Sequence, residues 1–240
     1  DDPGVVTFAD TDVVHGGRAS MRVEASATNE HGHGRVMQIV DLKPRRCYRV
    51  RVWVKTEGLA PSGALRMIAL DGGRSLAPRE FRVPATSDWQ ELTMLVNTQT
   101  HTTVRVYIGL WNGATGKLWI DDWSIEQVGL ANVLRRDGTP VQITSADGST
   151  TYEEGSDYER IEDPGLHPWL TDRADPPVRV PGGSRIADGE DILVSWYHPT
   201  VVNRSQVTIC MAEEKVYEIM DAEAKVLAEH LPSSTFLLAT

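Results

Sequence analysis

The chain has 240 residues, of which 40% are hydrophobic and 24% charged, with a formal net charge of -10 and a sequence pI near 5.2. That length can bury a proper core in one large domain or two ordinary ones, and the composition is ordinary for a soluble globular protein. The acidic balance argues against nucleic acid, which needs a basic footprint, and no run approaches the ~18 apolar residues that would insert into a bilayer.

Seven Trp against three Phe is a skewed aromatic choice. Trp is favoured where a flat apolar face must meet a ligand. Cys47 and Cys210 stand far apart, so neither a structural disulfide nor a cysteine metal pattern is expected. The chain opens at Asp1 with no initiator Met or signal peptide, consistent with a cleaved leader or an excerpt.

Residues 1–129 read as short strands separated by turns, the pattern of an antiparallel β-sandwich. Val5 to Ala9 and Ser20 to Ala25 open it, with Asp10, Asp12 and the His15-Gly16-Gly17 turn between them. Arg35 to Leu42 follows. In Cys47 to Thr56, Tyr48, Val50, Val52 and Val54 face one way and Arg49, Arg51, Trp53 and Lys55 the other. Leu65 to Leu70, Arg79 to Val83 and Gln90 to Val96 come next. Val104, Val106, Ile108 and Leu110 then share one strand face, leaving Arg105, Tyr107, Gly109 and Trp111 on the other. After the turn Asn112 to Gly116, a last strand, Lys117 to Glu126, is interrupted by Asp121-Asp122.

The ordered segments HGGRASMRV, RVMQIVDLKPRRCYRVRVWVKTEG, TSDWQELTMLV and VRVYIGLWNGATGKLWIDDWSIE carry a resemblance. Over residues 5–128 they resemble a jelly-roll carbohydrate-binding module of the galactose-binding-like superfamily. The resemblance implies a secreted, polysaccharide-degrading parent enzyme. It also implies a structural calcium held by a Gly-rich turn and an Asp of the last strand. The scaffold serves other ligands too, so fold alone does not name one.

Residues 130–191 change composition, with turn signals at Asp137-Gly138-Thr139-Pro140 and Asp147-Gly148 and a Pro-rich passage containing Trp169, and read as a β-rich connector. Its segments resemble connectors placed between binding modules and catalytic barrels. Residues 192–240 change period. Ile192 to Tyr197 is a continuous apolar strand, Glu213 to Leu231 has helical spacing, and Thr235 to Ala239 is apolar again. Strand, helix and strand predict the first β-α-β unit of a parallel sheet. This unit resembles the entry to a glycoside hydrolase (β/α) barrel and is read as a truncated barrel.

Three sites are expected. Trp53, Tyr107 and Trp111, with Arg49, Arg51 and Arg105, would form one aromatic face on which sugar rings stack while Arg donates to hydroxyls. The plainer alternative is Arg packing over aromatics that cover a sheet. Calcium would be held by Asp10, Asp12, the Gly17 carbonyl and Asp121 or Asp122, since Asp121 shares parity with Trp123 and Ile125 and would point inward. Acids beside turns also cap N–H groups. Tyr197 and His198, at a strand's carboxyl end, would line a barrel pocket or simply begin a loop. Glu213 and Glu214 read as helix N-terminal acids, His31 and His33 as an incomplete metal pattern, and Trp89 and Trp119 as core or rim. No pair of carboxylates can be assigned to glycoside hydrolysis. The expected function is non-catalytic binding of a polysaccharide or oligosaccharide, against a structural or protein-contacting sandwich that packs on its own barrel.

Overall fold

The computed structural model describes residues 2–166, 175–199 and 225. Asp1–Arg204 make one compact unit. Nine strands form its larger part: β1 Thr7–Asp10, β2 Ser20–Glu24, β3 Gly34–Asp41, β4 Cys47–Ala60, β5 Leu65–Asp71, β6 Arg74–Phe81, β7 Ser87–Asn97, β8 Thr103–Leu110 and β9 Thr115–Val128. They build two antiparallel sheets, a five-stranded one in the order β1-β2-β9-β4-β7 and a four-stranded one in the order β3-β8-β5-β6. This is the mainly β, antiparallel sandwich that the alternating strands predict.

Strand alternation builds the core. Val50, Val52 and Val54 of β4, Val104, Val106, Ile108 and Leu110 of β8, and Leu65 and Met67 of β5 are all essentially solvent-free and share one cluster. Completely burying a side chain of this size stabilises by roughly 1.5–3 kcal/mol. Because successive side chains alternate, the same burial forces the intervening residues of each strand onto its sheet's outer face.

A bulge alters one strand. In β9, Ile120 pairs with Val54 and Asp121 with Trp53, but Ser124 already pairs with Arg51. The extra residue is accommodated at Asp122, which has φ 43°. Trp123 and Ile125 therefore pack against the core while Asp121 points out. The expected inward Asp121 is corrected here: one inserted residue reverses the faces on its two sides.

A second, smaller cluster comes next along the chain, formed by Leu130, Val133, Val141, Ile143, Tyr152, Tyr158, Ile161 and Ile186. Its sheet has the order β11-β10-β12, where β10 is Gln142–Ser145, β11 Thr151–Tyr152 and β12 Ile192–Ser195. Asp147 accepts from the Ser145 hydroxyl and the Ser149 N–H and so closes the turn after β10. The strand expected to open a parallel unit belongs instead to this sheet, because β12 runs antiparallel to β10 from Gln142↔Ser195 to Ser145↔Ile192. A four-residue apolar run fits a small sheet edge as well as a barrel strand, and only pairing separates them. The expected helix Glu213 to Leu231 and strand Thr235 to Ala239 lie outside the described residues, as do Cys210 and Trp169.

The two sheets approach closely at Gly34, where an added Cβ would lie 2.2 Å from Val23 Cγ1 in the facing sheet. Val23 is fully buried and cannot swing aside. Gly34→Ala is therefore expected to destabilise the fold by roughly 1–3 kcal/mol through overpacking. Urea unfolding checks this; an unchanged midpoint would show that the sheets separate there at no cost.

Candidate functional site

The outer face of the four-stranded sheet can be written as three rows across β3, β8, β5 and β6. The first is Arg35, Gly109, Arg66, Glu80; the second Met37, Tyr107, Ile68, Pro78; the third Ile39, Arg105, Leu70, Ser75. Apolar groups hold the middle and arginines stand on both sides of it. Met37 and Ile39 are 42% and 59% exposed, unusual for large apolar side chains on a sheet. Trp111 continues β8 beyond the first row, its N–H bonded to the Ala64 carbonyl at 2.9 Å.

Arg35 ties this face together. Its guanidinium lies 5.3 Å from the Trp111 ring centroid and 6.0 Å from that of Tyr107. Cations are held over aromatic faces by the ring quadrupole, so both rings help to orient the fork. Gly109, between them along β8, has φ 148°, and a Cβ there would lie 2.2 Å from the Gly34 carbonyl oxygen. Only glycine permits β3 and β8 to approach this closely. Arg66 is paired with Glu80 at 2.7 Å, and Arg105 donates to the Gly72 carbonyl.

A loop frames the Trp111 end. The His33 N–H bonds Asn29 Oδ1 at 2.9 Å, and the Gly113 N–H bonds the Gly32 carbonyl at 2.8 Å, locking the His31-Gly32-His33 segment to the β8–β9 turn. The His33 ring centroid is 6.3 Å from Trp111 and 6.3 Å from His31. Partial burial, then the charges of Arg35 and His31, depress the His33 pKa, which favours its neutral ring. The two histidines thus serve the rim of the aromatic face.

The expected single face is divided. Tyr107, Trp111 and Arg105 lie on the four-stranded sheet, but Trp53, Arg49 and Arg51 belong to β4 of the five-stranded sheet and emerge on the opposite side of the sandwich. Both strands alternate as expected; what separates them is sheet membership, which periodicity does not encode. Trp53 is covered by His15, whose ring stacks on it at 4.1 Å and 13°, while Trp89 meets His15 edge-on at 5.5 Å. Arg51 bonds Glu126 at 2.9 Å. Arg49, only 6% exposed, reaches Glu126 at 3.2 Å and Asp175 at 3.6 Å. Asp175 also accepts the Gly129 N–H at 2.9 Å, so this arginine secures the start of the connector. Arg35, Met37, Ile39 and Ile68 are missing from the expected site. The signal for the first three was present in the alternation of RVMQIVD, where Met37 and Ile39 share parity with Arg35 on both sides of Gln38.

Three of the expected calcium ligands, Asp10, Asp121 and Asp122, meet donors instead. The buried Asp10 carboxylate accepts from Trp119 Nε1 at 2.9 Å, Arg22 Nη1 at 2.8 Å and the N–H groups of Asp12 and Val13 at 3.0 and 3.1 Å. Asp121 accepts the N–H groups of His15, Gly16 and Asp122 at 2.8, 3.2 and 2.8 Å, and Asp122 pairs with His15 Nδ1 at 2.6 Å. These oxygens pin the loop from Asp12 to Gly17 onto the outer face of the five-stranded sheet. A calcium ion needs six to eight oxygens. Here it would have to displace N–H groups and a guanidinium, so this donor set does not fit the ion. Among the described residues no group of three or more His, Cys, Asp or Glu side chains is placed to hold a metal.

Tyr197 and His198 lie just past β12, and the Tyr197 carbonyl accepts the Leu134 N–H at 2.8 Å. Trp196 donates to the Ala131 carbonyl at 3.0 Å. They therefore sit at the edge of the small sheet. A cleft of about 410 Å³ runs where Arg45, Arg46, Cys47 and Asn97 face Leu193 and Trp196. Burial pushes the Cys47 thiol up to about 11, the opposite of what a nucleophile needs.

No family model and no curated protein matches the chain. Solved structures resemble it at low identity. A family 4 carbohydrate-binding module is 16% identical over 50% of this chain and 77% of its own, with a TM-score of 0.39. A family 16 carbohydrate-binding module is 15% identical over 51% and 86%, TM-score 0.40. A xylan-binding family 22 module from Paenibacillus barcinonensis is 16% identical over 53% and 85%, TM-score 0.35. Likeness at this level assigns no ligand to this chain.

The Asp10 geometry has consequences in solution. Its pKa is held at about 2, from an ordinary 3.8, chiefly by the Trp119 hydrogen bond acting against desolvation. A depressed carboxylate stabilises the fold fully above its ordinary pKa, and that contribution is lost as pH falls through its folded value. Asp10→Ala should lower stability by roughly 1–3 kcal/mol for each buried donor it leaves unpaired. The gap from wild type should narrow in unfolding curves as pH drops from about 4 towards 2. Millimolar calcium, compared with EDTA, should leave the melting temperature unmoved; a rise with calcium would restore the ion to this loop.

Proposed function

We propose that the chain binds a polysaccharide or oligosaccharide non-covalently through the outer face of its four-stranded sheet. The observation that carries this reading is Arg35 held over both Tyr107 and Trp111, beside exposed Met37 and Ile39. Saccharides present apolar C–H surfaces together with dense hydroxyls. A strip of aromatic and aliphatic groups bordered by oriented guanidinium donors matches both features. No step of bond cleavage is part of the proposal. The wider reading, a module of a secreted polysaccharide-degrading enzyme followed by its catalytic barrel, rests on the change to helical period after residue 212.

The exposure of Met37 and Ile39 also favours a second reading, in which this face packs against a protein surface. Affinity electrophoresis over neutral and uronic-acid-containing polysaccharides separates the two. Binding should be weakened about tenfold or more by Tyr107→Ala or Trp111→Ala, the loss of a central aromatic contact. Trp53→Ala, on the far side, should bind as wild type. The reverse pattern would move the site to the five-stranded sheet, and no retardation on any polymer would favour the protein-contact reading.

A further inference from the structure

We propose that the cleft beside β12 takes an extended peptide segment whose acidic side chains are met by Arg45 and Arg46. This site shares no residue with the outer face of the four-stranded sheet and does not depend on saccharide binding. β12, Ile192–Ser195, is the edge strand of its sheet and, among the described residues, pairs with β10 alone. Each of its residues lines the cleft of about 410 Å³, although strand side chains alternate and those of Ile192 and Val194 pack on the small core. The cleft is therefore bordered by the open backbone edge of the strand rather than by one of its faces. Every second residue of such an edge turns its N–H and C=O away from the sheet, and an extended main chain satisfies them in register. An edge of this length spans roughly 13 Å, enough for a short peptide.

The facing wall supplies charge. Arg45 and Arg46 are exposed in the turn between β3 and β4, and Arg46 Nη1 donates to the Arg45 carbonyl at 3.0 Å. That acceptor is neutral, and among the described residues neither arginine is paired with a carboxylate. Among the described residues no Asp or Glu lines the cleft. Of the acids nearby, Asp175, beside Cys47, is taken by Arg49 and the Gly129 N–H, and Asp191, one residue before β12, stands outside the lining. The turn itself is held firmly. The Arg45 N–H donates to the Gln99 carbonyl at 2.5 Å, and the Arg46 N–H to the hydroxyl of buried Thr98 at 3.0 Å. Arg45 and Gln99 both have left-handed backbone, at φ 55° and 50°, a conformation that persists only where the surroundings impose it. Trp196 is fixed by its bond to the Ala131 carbonyl and, with Leu193, gives the cleft its apolar side. A peptide alternating acidic and apolar residues answers all three features. Its carboxylates meet the guanidinium forks, its apolar side chains meet Trp196 and Leu193, and its backbone meets β12.

The test titrates the full chain into a fluorescein-labelled hexapeptide of alternating Glu and Val, read by fluorescence anisotropy in physiological salt. The peptide should bind, and replacing its Glu by Gln should weaken binding about tenfold or more, the loss of charge-assisted hydrogen bonds. Of the two versions N-methylated at every second residue, at least one should lose binding to a similar extent, because methylation removes the N–H groups that reach the strand edge. Arg45→Gln and Arg46→Gln should each weaken binding severalfold, and Arg74→Gln, in the β5–β6 hairpin, should change nothing. Equal binding of the Gln peptide overturns recognition by Arg45 and Arg46. Undiminished binding of both methylated peptides overturns strand addition. Equal loss in all three arginine variants shows diffuse charge attraction and overturns the site, as does the absence of binding at millimolar peptide. The peptide comparisons use the unaltered chain, so they stand even where a substitution disturbs folding.

Discussion

The packing of β4 and β8 into one apolar core is the constraint on which the rest of the molecule depends. Val50, Val52 and Val54 face inward from one sheet, and Val104, Val106, Ile108 and Leu110 face inward from the other. Strand side chains alternate without freedom to choose, so burying these seven residues sends Trp53 and Arg51 out on one side and Tyr107 and Arg105 out on the other. The sandwich therefore has two chemically distinct outer faces.

Those faces are used differently. On the five-stranded sheet, charged groups satisfy one another: Glu126 meets Arg49 and Arg51, Asp10 meets Arg22 and Trp119, and Asp121 and Asp122 hold the loop that lays His15 on Trp53. Such an arrangement stabilises, because paired carboxylates and covered rings have little left to offer a ligand. On the four-stranded sheet the middle row is apolar, the edge strand exposes Met37 and Ile39, and Arg35 is oriented by two aromatic rings. One face is closed by its own loop, and the other is presented.

The small cluster around Ile143 shows how connection and fold are joined. Arg49 belongs to the sandwich, yet its guanidinium reaches Asp175, whose carboxylate also receives the Gly129 N–H at the end of the last sandwich strand. Asp157, 2% exposed, is similarly tied to Arg185 and to the Glu153 N–H, and these bonds keep its carboxyl well below the usual range. Acids with several donors are ordinary structural joints: Asp175 ties the end of the sandwich to the connector, and Asp157 fixes a loop within the small cluster.

Alternation alone determined that the first half is an antiparallel β sandwich, that the valines of β4 and β8 are core, and that Tyr107, Trp111 and Arg105 share a face. Period two is a local property, readable from neighbouring residues. The tertiary structure decided which strands share a sheet, and so parted Trp53 from Trp111. It also decided how the bulge at Asp122 turns Asp121 outward, and that Ile192 to Ser195 pairs antiparallel with β10. Each of these depends on hydrogen-bond partners many residues away, or on one inserted residue, and a periodic pattern is the same for every choice of partner. Arg35 lies between the two cases: its strand was visible, but its place over Tyr107 and Trp111 exists only once β3 has paired with β8.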